Sequence, residues 1–198
     1  MTRQRLAIPF LVLTLTLVSG IFLRAGGPAE PTAAGSKAAA IERGKYLVNF
    51  GSCNDCHTPW KLGPKGPEPD MTRALTGHPA DMKVSPSPTL EGTWGIAAAN
   101  TMTAWTGPWG VSFTANLTPD KETGLGDWTE EMFIQTMRTG RHQGKGRAIL
   151  PPMPWFSVNA LSDEDIKAVF AYLQSLPPVH NRVPAPIDPP EAEVAGSK

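Results

Sequence analysis

Cysteine is scarce, with 2 among 198 residues. Two cannot build the multi-disulfide framework that lets small exported domains do without a large core. An excess of positive charge is missing as well, since 18 Lys and Arg face 18 Asp and Glu. Without a basic stripe, no nucleic-acid partner is expected. No internal repeat is visible. What the chain has in quantity is Gly (19) and Pro (21), about a fifth of all residues against the usual ~12%. That falls short of wholesale disorder and predicts a domain rich in loops. The length bounds the answer to one domain with tails.

The chain opens on a short basic region, Arg3 and Arg5, followed by an uncharged run from Leu6 to Leu23, LAIPFLVLTLTLVSGIFL. A signal h-region is shorter than this run, and a spanning helix needs about 20 residues. Residues 1–24 are therefore expected to be a secretory signal or an N-terminal membrane anchor. Either one places the remainder outside the cytoplasm, in the periplasm or on the outer face of a bacterial cytoplasmic membrane. Residues 25–37, AGGPAEPTAAGSK, have the small-residue and Pro composition of a flexible tether. Residues 181–198 are Pro-rich and expected to be extended or disordered. A folded body over 38–180 remains.

Three helices are expected in that body. One spans Ala38 to Phe50, with Ile41, Tyr46, Leu47 and Phe50 among charged residues. A second spans Thr129 to Arg138, with Glu130 and Glu131 in its first turn and Gly140 at its end. The third spans Ser162 to Ser175, capped by Ser162, striped by Ile166, Val169, Phe170 and Leu173, and stopped by Pro177 and Pro178. Between the first two lies a stretch from Thr58 to Ala115 with 7 Gly, 8 Pro and four Trp (Trp60, Trp94, Trp105, Trp109) in 58 residues. No strand is convincing in it. Loops of such length usually wrap around something or serve a function.

Cys53-Asn54-Asp55-Cys56-His57 is C-x-x-C-H, the attachment signature of c-type haem. Positions i, i+3 and i+4 of a helical turn share one face. Two thioethers from Cys53 and Cys56 can thus reach the vinyl edge of the macrocycle while His57 ligates the iron as proximal ligand. A thioredoxin-like redox pair is the first alternative, but no βαβ pattern surrounds the motif. A zinc site lacks a second ligand pair, because His78 and His142 stand alone. A disulfide across two residues would be strained and close almost no loop. One motif implies one covalent haem c. With the macrocycle absent, the long Gly/Pro stretch has no core of its own, and the haem-free chain is expected to be largely unfolded.

For the sixth ligand, Met153 is the leading candidate, because Pro151, Pro152 and Pro154 stiffen the backbone on both sides of its thioether. His142, His78, another methionine or an open position are the alternatives. Trp109, Asn116, Arg138 and Arg147 are candidates for the haem propionates, with surface or loop-closing roles as the competing reading. A carbonyl from the segment around Gly63, Pro64, Gly66 and Pro67 is expected to hold the second ring nitrogen of His57.

Several segments together resemble class I c-type cytochromes, and more closely the haem domains of the cytochrome subunits of bacterial alcohol dehydrogenases. They are RGKYLV at 43–48, CNDCHTP at 53–59, GPWGVSFTANLTPDKETGLGDWTEEMF at 107–133, RTG at 138–140, LPPMPW at 150–155 and LSDEDIKAVFAYLQSLPPV at 161–179. The resemblance implies an all-α fold in which the first helix crosses the last near Gly44, Phe170 and Leu173. It implies Met153 as distal iron ligand and a monohaem carrier of single electrons rather than an enzyme. It also implies redox partners, a dehydrogenase-type donor and an oxidase- or cytochrome-type acceptor. Those subunits carry several haem domains, whereas this sequence has one motif. The rival classes are a haem peroxidase, with His142 as its distal acid–base group, and a haem sensor.

Overall fold

The computed structural model of the chain describes residues 33–85, 88, 90 and 92–189. The apolar run at 6–23 and residues 190–198 lie outside them. In chain order the elements are α1 (Ala33–Phe50), α2 (Cys53–His57), β1 (Trp60–Gly63), β2 (Gly66–Pro69), β3 (Ala97–Ala98), β4 (Ala104–Gly107), β5 (Gly110–Phe113), α3 (Glu130–Thr139), α4 (Trp155–Asn159) and α5 (Asp163–Gln174). Among the described residues, no helix is long and apolar enough to cross a membrane.

The three expected helices are present. α1 starts earlier than expected and takes in the end of the supposed tether, because AAGSKAAA is dominated by Ala, the best helix former. Thr129 caps α3 by accepting from the N–H of Met132, and Gly140 ends it in the left-handed conformation. Ser162 caps α5 through the N–H of Asp165. Leu47 and Val48 of α1, Phe133, Ile134 and Met137 of α3, and Ile166, Val169, Phe170 and Leu173 of α5 join Leu75 and Leu125 in one apolar core. Phe133 and Phe170 sit 5.2 Å apart, ring centre to ring centre, at its middle.

α1 and α5 cross where α1 has no side chain. A Cβ on Gly44 would lie 1.9 Å from the carbonyl oxygen of Ala168 and 2.8 Å from Cβ of Tyr172. Only glycine permits this approach. Beside the crossing, Arg43 binds both carboxylate oxygens of Asp165 at 2.8 and 3.0 Å and holds that carboxyl below its usual range. The pair is exposed and adds little to stability.

An all-α fold does not hold for the stretch between α2 and α3. β1 and β2 form a hairpin in register Trp60↔Pro69 to Gly63↔Gly66, and β3-β4-β5 form an antiparallel sheet. These strands have four residues or fewer, and Gly and Pro occupy many of their positions, so they lack the alternation that makes a strand visible in sequence. The Pro-rich tail is extended from 181 to 189 and is not loose. Asn181 is buried, and Ile187 exchanges two backbone hydrogen bonds with Val111 of β5, at 2.7 and 2.9 Å. Gly110 makes room for this pairing, because a Cβ there would lie 2.0 Å from the Ile187 oxygen.

Candidate haem site

α1 ends through Gly51, whose N–H reaches the Leu47 oxygen, and Ser52 turns the chain at φ 53°. The next turn, α2, holds the whole C-x-x-C-H motif. Both cysteines are free thiols and half-buried. Burial, with smaller contributions from Cys56 and Asp55, pushes the Cys53 thiol up to about 11. Burial, then Asp55, also raises Cys56. Both are neutral thiols at neutral pH.

His57 is buried, and its Nδ1 lies 2.8 Å from the Ala115 carbonyl oxygen. A carbonyl can only accept, so Nδ1 carries the proton and the Nε2 lone pair is free for a metal. Burial holds the imidazole below the usual histidine range, the Ala115 bond offsetting it in part, which favours the neutral, ligating form. The carbonyl partner therefore comes from the irregular segment just after β5. The segment at 63–67 expected to supply it is the tip of the β1–β2 hairpin.

A short crosspiece, Leu75 to His78, fixes this geometry. The Gly77 N–H binds the His57 oxygen at 2.8 Å, and the His78 N–H binds the Thr114 oxygen at 3.0 Å. The Leu117 N–H binds the Leu75 oxygen, and the Leu75 N–H binds the Thr58 hydroxyl at 2.9 Å. Thr58 is wholly buried and donates to Asn54 inside the motif. Gly77 has φ +76°, and a Cβ on it would lie 2.6 Å from the very Ala115 oxygen that orients His57. Sequence reading missed Ala115, Gly77, Thr58 and the crosspiece. A backbone carbonyl has no residue signature, and Leu-Thr-Gly-His resembles no motif.

Met153 is half-buried at the entrance to α4. Its oxygen accepts from the Trp155 N–H at 2.9 Å. The preceding Pro151 oxygen accepts from the Ser112 hydroxyl at 2.6 Å, tying this segment to β5. His78 is fully buried, with Nδ1 2.9 Å from the Thr103 hydroxyl and Nε2 3.1 Å from the Met82 oxygen. Protein groups thus occupy both of its ring nitrogens. His142 is exposed, edge-on to Trp128 at 5.0 Å.

The propionate candidates differ in what engages them. Arg138 donates to the Asn159 oxygens, the Leu161 oxygen and Asp163, holding α3 to the turn before α5. Asn116 donates to the Val179 oxygen at 2.8 Å and to Thr123. The Trp109 indole donates to Ser112 at 3.3 Å. Arg147 is exposed, with a single long bond of 3.4 Å to the Ala148 oxygen.

The motif fits haem c: two neutral thiols at i and i+3 and an imidazole at i+4 with Nε2 free. One further atom points the same way. The Thr114 hydroxyl, next to Ala115, is buried with no partner among the described residues, as a polar group does where a bound molecule completes its bonding. A zinc reading finds no support, since no group of three or more His, Cys, Asp or Glu among the described residues is arranged to hold an ion.

The cytochrome c family model matches residues 41–177. A nicotinate dehydrogenase subunit of Pseudomonas putida is 31% identical over 80% of this chain and 10% of its own length. The fructose dehydrogenase cytochrome subunit of Gluconobacter japonicus is 30% identical over 82% of this chain and 26% of its own length. The gluconate 2-dehydrogenase cytochrome c subunit of Pantoea cypripedii is 31% identical over 68% of this chain and 22% of its own. The chain spans about a quarter or less of these relatives. Motif, neutral imidazole, stiff methionine segment and a match over most of the length agree: the chain belongs to the cytochrome c family, electron-transfer domains that hold haem c covalently.

Proposed function

We propose that this chain carries one haem c, attached through Cys53 and Cys56 and ligated by His57 and Met153, and passes single electrons between redox proteins outside the cytoplasm. The observation that carries the reading is the Ala115–His57 bond, which fixes the tautomer and leaves Nε2 as the ligating atom. Haem supplies the Fe(III)/Fe(II) couple. The chain supplies the rest. Cys53 and Cys56 would hold the haem through two thioethers, each S–H bond and vinyl π bond being exchanged for one C–S and one C–H bond with no external oxidant or reductant. The Gly77 crosspiece keeps the imidazole from turning, and the Pro-braced Met153 segment limits rearrangement between oxidation states. Because Asn116, Trp109 and Arg138 spend donors on protein groups, they act chiefly as loop closures. The similarity to dehydrogenase subunits supports a dehydrogenase-type donor and an oxidase- or cytochrome-type acceptor, and the run at 6–23 supports export.

Met153→Ala tests the reading. It should open the sixth position, giving a high-spin ferric spectrum and new binding of cyanide. Met153→His should stay low-spin while the potential falls by tens to hundreds of millivolts, within the roughly 0.8 V that axial ligands span. An unchanged potential, with the oxidised-state Met–iron absorption intact in Met153→Ala, would remove Met153 from the ligand set.

A further inference from the structure

From Thr139 to Ser162 the chain has no acidic residue in 24 positions, yet it carries Arg141, Lys145 and Arg147. All three are exposed. Five cations elsewhere are matched: Arg43 with Asp165, Lys61 with Asp70, Arg138 with Asp163, Lys167 with Glu130 and Arg182 with Glu122. The other described cations, such as Lys45, Arg73 and Lys121, form no ion pair among the described residues but have an acidic residue within five positions in sequence. Among the described residues none of the three loop cations is in an ion pair. The nearest acidic residues along α3, Glu130 and Glu131, stand at its other end, about 14 Å along the axis.

This loop is held rigidly. The Arg141 guanidinium donates to the Gly146 oxygen at 3.0 Å. The N–H groups of His142, Gly144 and Gly146 bind the oxygens of Arg147, Arg141 and His142 at 2.8–3.0 Å, and the Thr139 hydroxyl binds the Gly144 oxygen. It is also fused to the methionine segment. Arg141 bridges Ala148, and the Ile149 N–H binds the Gly140 oxygen at 2.8 Å. A Cβ on Gly140 would lie 2.5 Å from the Trp155 ring, and that ring meets Phe156 edge-on at 6.3 Å. Phe156 is 65% exposed. Fixed cations beside an exposed aromatic are the makeup of a docking face, with a polar rim and an apolar anchor.

We propose that loop 141–147 and Phe156 form the docking face for a redox protein whose own face is acidic around an apolar centre. This rests on the electron-carrier reading. The exposed cations would steer such a partner to the side of the domain that carries Met153, raising the rate of encounter more than the final affinity. An anionic membrane is the competing occupant. The fusion of the loop to the ligand-bearing segment favours a partner that exchanges electrons there.

The test uses the full-length, haem-loaded, reduced protein and two one-electron oxidants. One is anionic, ferricyanide, and the other cationic, the tris-phenanthroline complex of cobalt(III). In each case one electron leaves the ferrous iron and reduces one oxidant. The readout is the ratio of the two rates, in which a change of driving force largely cancels. At low salt Lys145→Gln with Arg147→Gln, which keeps the Arg141 brace, should lower the ferricyanide-to-cobalt ratio ~10-fold, and the difference should vanish at high salt. Adding Arg141→Gln should lower it further. Lys37→Gln with Lys45→Gln, the same charge change on α1, should move it far less. Poly-L-glutamate, standing in for an acidic protein face, should slow ferricyanide oxidation of the parent and spare the loop variant. Phe156→Ser should leave that inhibition unchanged and weaken inhibition by an acidic copolymer of Glu and Tyr, which adds the apolar contact.

An unchanged ratio in the loop variants, or an equal drop in the α1 control, overturns the proposal. So does binding of the parent to phosphatidylglycerol vesicles that the loop variant loses while its rate ratio stays put, which would make the loop a membrane surface. Parent protein that reduces neither oxidant refutes the electron-carrier reading itself, and the docking face with it.

Discussion

α1, α3 and α5 meet through Leu47, Val48, Phe133, Ile134, Met137, Ile166, Val169, Phe170 and Leu173. Residues 60–113 are held differently, mostly by hydroxyls, carbonyls and one imidazole. Thr76, His78, Thr101, Thr103 and Ser112 are buried there beside Ala104 and Val111, while Leu75 reaches out to join the helical core. The first region gains stability in proportion to area removed from water and tolerates small shifts. The second depends on bonds that are weak in net terms and costly when left unmade. The helices thus supply a scaffold with its own core. The arm between α2 and α3 is a polar wrapper whose register must be right, and it is the arm that delivers Ala115 to His57.

The largest break in this comparison comes from removing the haem attachment. In Cys53→Ala with Cys56→Ala, the mass of the denatured polypeptide should show complete loss of covalent haem. The sequence alone predicts a largely unfolded haem-free chain. The separate helical core sharpens that expectation: hydrogen exchange should lose protection first across 60–113, with α1 and α5 the last to open. Uniform loss of protection over both regions would mean that the haem, and not the apolar core, holds the helices together.

Two glycine substitutions separate the regions next. Gly44→Ala drives a methyl into the Ala168 carbonyl and should cost about 3 kcal/mol, read by urea unfolding. It touches nothing around His57, so the reduction potential of whatever folds should stay where it was. Gly77→Ala combines a positive φ with a methyl against the Ala115 oxygen. It should cost about 2–3 kcal/mol and also shift the potential, because the His57 Nδ1 bond must lengthen or turn. A potential that moves in Gly44→Ala and not in Gly77→Ala would reverse the assignment of roles.

The same contrast explains what could be read in advance. α3 and α5 were legible because caps and apolar spacing are side-chain signals, and Thr129, Gly140 and Ser162 do what their types predict. The motif was legible because Cys53, Cys56 and His57 must be those residue types. The strands and the Ala115 carbonyl were not. Their work is done by backbone atoms that any residue owns, and their specification lies in which distant segments meet. Likewise, nothing in Pro-Ile-Asp-Pro announces that Ile187 completes β5.

The smallest effect concerns the polar wrapper alone. The Met82 oxygen can only accept, so His78 carries its proton on Nε2, and its Nδ1 accepts from Thr103. Having spent its proton, the Thr103 hydroxyl accepts from Thr101 at 2.8 Å. This chain needs the neutral imidazole, and burial first, then the Arg73 charge, hold His78 below the usual histidine range. The sign follows. Below the ordinary value near 6.5 the unfolded chain takes up a proton that the folded chain refuses, so stability is present above that pH and drains away as pH falls. Asp70, Asp120 and Asp165 all have lowered values, so their contributions fade only at lower pH, within the carboxylate range. Between pH 7 and 5.5 the parent should lose about 1 kcal/mol that His78→Gln does not lose, on top of a pH-independent cost of about 1 kcal/mol for the altered bonds. Urea midpoints at the two pH values, compared between parent and variant, read this directly. His57, if ligated as proposed, does not titrate in that window, and the exposed His142 is common to both proteins. Parallel pH dependences in parent and variant would show that His78 admits its proton in the folded state, and that Thr103 can turn its hydroxyl to accept from it.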